Sequence, residues 1–316
     1  MKDPMLTVSP APHWHIGKTF TKDSYYTIMA LIPALIMGVI NYGKGSLGVV
    51  GLSVFSAMAT EALMQAVMRR PITIHDGNAL LIGLLLSFLL PAGAPWWLVV
   101  VGTSVAMIVG KQLYGGLGSN PFNPVLVGWI IIRISWKLEM DVDASLVDVA
   151  SVSGLSPLAS LRAGVFELGL RDVMLGRIVG SVGSASLLIL LAGVVLGALK
   201  VIKWEVSVSF LVGAFLASLL LGPKLFTELN PGSISPITFI FVGHIMLGAF
   251  FLAPDNPSSP VNTVGRYLYG FLAGFMAIVI RVYSSYPDGG VIFAIMLLNL
   301  SSPLLDRIRP KAVGKA

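Results

Sequence analysis

The chain reads as an all-α polytopic membrane protein, and three observations carry that reading. Of its 316 residues, 55% are hydrophobic and only 11% are charged, where a soluble domain carries about 25% charged residues. Mean hydropathy is +0.86. The apolar residues fall in long runs separated by Gly, Pro and charged residues rather than in alternating strand patterns. Too little polar surface remains to coat a globule in water, so the bilayer is the natural solvent.

Taken in order, the apolar runs are 25–42, 47–68, 78–90, 96–113 and 122–136, then 173–199, 206–221, 237–252, 264–283 and 291–305. They predict about ten transmembrane helices. A polar arm covers 1–23, an external loop 137–171, and a tail 307–316, leaving membrane repeats at 24–136 and 172–306. Runs 78–90 and 122–136 are short and flanked by Gly or Pro, as broken helices around a central site often are. No apolar stretch with a small-residue cleavage site precedes residue 24, so the first run is expected to be retained.

Lys and Arg set the orientation. With the N-terminus inside, 13 basic residues lie at cytoplasmic ends and 8 at outer ends, the Arg69-Arg70 pair and the basic tail carrying most of the bias. Both termini are then cytoplasmic, and the net charge of +6 reports orientation rather than a nucleic-acid partner. Punctuation repeats between the halves at an offset of about 165–170 residues, which with five crossings per half predicts two inverted repeats.

The chain has no Cys, which removes disulfides, cysteinyl iron–sulfur clusters and thiolate metal sites from this chain. The His13/His15 pair sits on the polar arm and reads as surface rather than metal site. No metal site is expected.

Charge at bilayer depth costs at least about 2.5 kcal/mol, so ionisable residues in apolar runs face a cavity or a partner. Glu61 and His244 lie inside runs, and Asp76, Asp255 and Asp288 border broken segments. Glu61, Asp76, His244 and Asp288 are the ion-pathway candidates. Asp76 and Asp288 each precede Gly and an apolar run, where helix capping is the simpler role. Two loops stand out, Tyr114-Gly-Gly-Leu-Gly-Ser-Asn-Pro-Phe-Asn-Pro124 and Pro254-Asp-Asn-Pro-Ser-Ser-Pro260. Glycine permits close backbone approach, Asn and Ser offer uncharged hydrogen bonds, and Pro restarts a helix. Such backbone is tolerated at membrane depth only where protein buries it or it lines a cavity. The residues alone leave two readings open: tight interfacial turns, or walls for a planar polar ligand or an ion.

At these motifs the sequence resembles one family. The first loop resembles the GGLG-N-FNP signature shared by the RnfD and NqrB membrane subunits. His244-Ile-Met-Leu-Gly-Ala-Phe-Phe-Leu-Ala253, with Asp255 and Ser259-Pro260, resembles a second block, and Tyr286-Pro-Asp-Gly-Gly290 through Asn299 to Asp306 a third. The resemblance runs in order over nearly the whole chain. It implies a multi-pass flavoprotein subunit of a prokaryotic inner-membrane Rnf complex. Such a subunit relays electrons between ferredoxin-side and NAD-side partners, coupled to Na⁺ or H⁺ movement, and is not catalytic alone. It further implies partners with iron–sulfur and flavin groups, and FMN esterified by a separate flavin transferase to an "SGAT" hydroxyl. The matching stretch here is Ser153-Gly154-Leu155-Ser156, so Ser156 takes the place of Thr and Leu155 that of Ala. On this resemblance Ser153, Gly154 and Ser156 are the covalent FMN site. Gly115, Gly116, Asn120, Asn123, Asp255 and Ser259 form the cofactor-binding set, with room for a second, non-covalent flavin. Ser184 stands where the family usually carries Glu, and Pro254 where it carries Thr. A solute channel or carrier of similar fold, and a flavin-free structural subunit, are the competing expectations.

Overall fold

The computed structural model describes residues 19–141, 170–226, 236–284 and 289–308. Among these residues every regular element is helical. The chain runs through α1 (Phe20–Tyr42), α2 (Lys44–Val67), α3 (Asn78–Leu89), α4 (Trp96–Val105), α5 (Pro124–Ser135) and α6 (Leu170–Leu175). It continues through α7 (Ser186–Ala198), α8 (Trp204–Phe226), α9 (Pro236–Phe241), α10 (Ile245–Leu247), α11 (Thr263–Tyr283) and α12 (Gly290–Leu305). Five described segments are long and apolar enough to cross a membrane: Phe20–Tyr42, Lys44–Val67, Trp96–Tyr114, Trp204–Leu221 and Thr263–Tyr283. α3, α5, α7 and α12 are shorter apolar helices.

Local chemistry explains the boundaries. Thr19 caps α1 by accepting from the Lys22 amide, so the helix starts inside the arm expected at 1–23. Gly43, at φ 73°, ends α1 by donating to the Val39 carbonyl, and α2 begins at the very next residue. Asp76 accepts from the Asn78 amide at the start of α3. Asn123 and Asn262 cap α5 and α11, each accepting from the amide two residues on.

Polarity is arranged for lipid. On α2, Leu47, Phe55, Leu63 and Val67 face outward, whereas Ser46, Ser53, Ser56, Thr60, Glu61 and Gln65 are buried. The buried hydroxyls find partners on neighbouring helices: Ser53 donates to the Gly83 carbonyl at 2.7 Å, and Ser56 bonds Thr103. Small and hydroxylated residues at helix contacts are what membrane bundles use. The tightest such contact joins α8 and α11. A Cβ on Gly274 would collide with the Phe210 carbonyl oxygen, and one on Gly213 with that of Phe271.

Two expected spans are interrupted. The run 173–199 is not one helix: α6 stops at Leu175 and α7 starts at Ser186. Gly176 turns at φ 72° and packs on Ala185, and the backbone between them lies against the end of α3. There the Val182 amide donates to the Leu90 carbonyl at 3.2 Å and the Gly183 amide to that of Phe88 at 3.0 Å. The non-helical stretch thus satisfies its polar groups from another segment. The run 237–252 breaks at Gly243, φ 71°, and resumes as α10 followed by a π-helical turn, Gly248–Leu252. A second π turn, Ala106–Lys111, and a 3₁₀ turn, Gln112–Tyr114, extend α4.

The bundle has two distinct ends. One holds the starts of α1, α3, α5, α8 and α11. The other holds Asn41 and Tyr42, the Leu90 region and residues 175–184, where Asn41 donates to the Leu175 and Gly176 carbonyls at 3.0 Å.

Replacing Gly274 by Val is expected to destabilise the protein by about 1–3 kcal/mol through overpacking. Gly51→Ala, with open space around its Cβ, should leave stability within about 0.5 kcal/mol. Thermal unfolding of the two purified variants in detergent checks both.

Candidate functional site: a cavity between the two broken loops

The loop 115–123 and the segment 253–260 meet at the end of the bundle where α1 begins. Asn123 joins them: its Nδ2 donates to the Leu252 carbonyl at 3.1 Å while its Oδ1 accepts from the Val125 amide at 3.0 Å. Between the segments lies an open cavity. Its walls include Ser24 and Thr27 of α1, Leu81, Ile82 and Leu85 of α3, Lys111, Asn120, Asn123, Phe250, Phe251, Pro254 and Asp255. Apolar walls with a few polar groups are what small-molecule sites present. Both π turns reach this wall, one through Lys111 and the other through Phe250 and Phe251. π turns in helices are often found at functional sites.

Asp255 is half-buried and lines this space. Its carboxylate accepts from the Ser258 hydroxyl at 2.9 Å. Burial pushes its pKa up, against the hydrogen bonds of Ser258 and Asn120 and the charge of Lys203. Lys203 donates to the Ser259 hydroxyl at 2.8 Å, and Ser259 in turn donates to the Asp255 carbonyl at 2.6 Å. Burial, and then the neighbouring Arg266, lower the Lys203 pKa to about 8. Lys111 and Glu61 form a buried ion pair at 2.5 Å, and Gln65 and Gln112 also donate to Glu61 Oε1, each at 3.3 Å.

Of the residues singled out by sequence, Asn120, Asn123 and Asp255 line this one cavity. Gly115 and Gly116, at φ 113° and 101°, turn the loop beside it, and the Gly115 carbonyl accepts from Arg70 at 2.7 Å. Ser259 sits behind Asp255. Glu61 lies one residue deeper, reached through Lys111. Asp76 caps α3. His244 is at the opposite end, its Nε2 2.7 Å from the Ser181 hydroxyl. Ser184, standing where the family usually has Glu, lies there too, 2.7 Å from the Tyr42 hydroxyl. Ser153, Gly154, Ser156 and Asp288 lie outside the described residues. Sequence reasoning missed Lys111 and Lys203 as site residues, taking both for cytoplasmic orientation charges. The available signal was a lysine and a glutamate each stranded in an apolar run.

These features define a class: a multi-pass helical membrane protein with a cavity walled by two helix breaks from different parts of the chain. The sequence profile of the NQR2, RnfD, RnfE family matches residues 7–314, and the chain belongs to that family. It is 35% identical over 320 residues to the D subunit of the Na(+)-translocating ferredoxin:NAD(+) oxidoreductase complex of Acetobacterium woodii, covering 99% of this chain and 96% of that one. It is 32% identical to the D subunit of the ion-translocating oxidoreductase complex of Yersinia pseudotuberculosis serotype O:1b, covering 98% of both chains. The D subunit of the Alcanivorax borkumensis ion-translocating oxidoreductase complex is 34% identical, covering 98% of this chain and 97% of its own.

The neutral amine is the form that reacts with acylating reagents. Lys203 is therefore expected to label half-maximally near pH 8, well below the ordinary lysine value of about 10.4. Mass spectrometry of peptides labelled across a pH series reads this out.

Proposed function

We propose that this chain is the D-type membrane subunit of an Rnf-type ion-translocating oxidoreductase complex and that it carries flavin. The observation that carries the reading is the shared cavity. Asn120 and Asn123 from one broken loop and Asp255 from the other converge on one space. A flavin ring is planar and largely apolar with polar edges. Leu81, Ile82, Leu85, Phe250 and Phe251 would cover its faces, and Asp255 would meet its edge together with the Oδ1 of Asn120, whose Nδ2 already donates to the Phe122 carbonyl at 2.9 Å. Asn123 has its amide committed to Leu252 and Val125, so it positions the wall. A bound flavin supplies reversible one- and two-electron transfer, chemistry absent from these side chains.

A second flavin is proposed at Ser156, as an FMN phosphoester made by a flavin transferase. Supporting this is the family membership together with the Ser153-Gly154-Leu155-Ser156 stretch. Its flanks Asp141 and Arg171 follow α5 and open α6, at the end of the bundle opposite the cavity. From Asp23 at the cavity to Asn41 near α6, α1 rises about 27 Å, close to the hydrocarbon thickness of about 30 Å. One flavin near each face would let electrons cross the bilayer between iron–sulfur and flavin partner subunits. Ten crossings in two inverted five-helix repeats, with both termini cytoplasmic in an inner membrane, would place the cavity on the inner side. The starts and ends of successive helices alternate between the two ends, which supports that arrangement.

Co-expression with a flavin transferase is expected to give a fluorescent band at the size of this chain on a denaturing gel, lost in Ser156→Ala. A band that survives the substitution refutes attachment there. In a chain expressed without the transferase, Asp255→Ala is expected to weaken flavin binding about tenfold, the worth of one charge-assisted hydrogen bond. Fluorescence quenching titration measures it, and binding equal to wild type would exclude Asp255 from the ring's edge.

A further inference from the structure

We infer that Lys111, held in place by Glu61, offsets the carboxylates around the cavity and so raises its affinity for the reduced, negatively charged form of a bound flavin. The inference rests on the flavin reading of the cavity given above. Among the described lining residues Lys111 alone is cationic, facing a space that also borders Asp23 and Asp255. The Lys111 side chain is 2% exposed and that of Glu61 1%.

A buried ion pair is weak as a device for stability, since two apolar side chains of similar volume often serve as well. In a bilayer the cost of keeping one is higher still. This pair is also lopsided. Glu61 Oε1 receives Lys111, Gln65 and Gln112, while Glu61 Oε2 is buried with no hydrogen-bond partner. The carboxylate therefore holds the lysine through one oxygen and neutralises it. An ammonium group has three donor positions, and Glu61 takes one of them. The π turn ending at Lys111 shifts it out of α-helical register, onto the cavity wall.

With a neutral oxidised ring in the cavity, Lys111 and Glu61 balance each other. A ring reduced by two electrons from a partner subunit, with one proton taken from water, would carry one negative charge, and Lys111 would offset that charge in a low-dielectric setting where electrostatic interactions count most.

The test uses the full chain in lipid nanodiscs, expressed without flavin transferase, with riboflavin as probe because it has the ring but no phosphate to esterify. Affinities for the oxidised form, and for the form reduced by dithionite as the electron donor, are measured anaerobically. Lys111→Met is expected to lower the reduced-to-oxidised affinity ratio about tenfold or more relative to wild type, and Lys111→Arg to keep it. The double variant Lys111→Met with Glu61→Gln leaves no lone buried charge, so it guards against misfolding. It is expected to show the same loss. A wild-type ratio in the double variant overturns the role of Lys111 while leaving the cavity reading intact. Wild-type protein that binds no riboflavin in either form overturns the cavity reading itself.

Discussion

Everything in this molecule depends on one constraint: in hydrocarbon, each backbone N–H and C=O must find a partner within the protein. Helices meet that demand along their length and fail it wherever they break. This chain breaks its helices in several places, and other parts of the chain close the breaks. Residues 181–183 lean on the carbonyls of Phe88 and Leu90. The break after α9 is closed from α11, where the Arg281 guanidinium donates to the carbonyls of Phe239 and Val242. The Leu252 carbonyl, at the end of a π turn, is taken by Asn123. A break so secured cannot wander, which is why the space it encloses has a definite shape.

The same constraint explains what was legible in the sequence. Long apolar runs announce helices because nothing else can be built from them in a bilayer, so α1, α2, α8 and α11, and α4 together with its π and 3₁₀ turns, stand close to their expected limits. Gly-, Asn- and Pro-rich loops announce breaks, and two of them do wall one cavity. The run 173–199 misled because its glycines are spaced within an otherwise apolar stretch, and glycine is common in membrane helices. Only the docking of Gly183 against Phe88, a contact across 95 positions, decides that the chain extends there instead. Register changes were invisible for a similar reason. A π turn has no composition of its own, so nothing marked Ala106–Lys111 or Gly248–Leu252 before the fold placed them.

Charge was harder to read than shape. In the sequence, Lys111 and Lys203 look like ordinary flanking cations. Their significance comes from what stands opposite: Glu61 from α2 for one, Asp255 through the Ser259 hydroxyl for the other. Such pairings join residues about 50 positions apart, and no local pattern encodes them. Asn123 shows the converse. Its residue type suggested a ligand contact, yet its amide is spent on holding the wall together, so its effect on any occupant is indirect.

The turn at Gly43 has a bearing on how the protein is made. A single residue separates α1 from α2, leaving no slack for the first helix to settle across the bilayer while the second waits at the surface. So short a link favours their entry as one hairpin with Gly43 at its tip. In the folded protein the shorter α3 packs against this pair, which shields it from lipid.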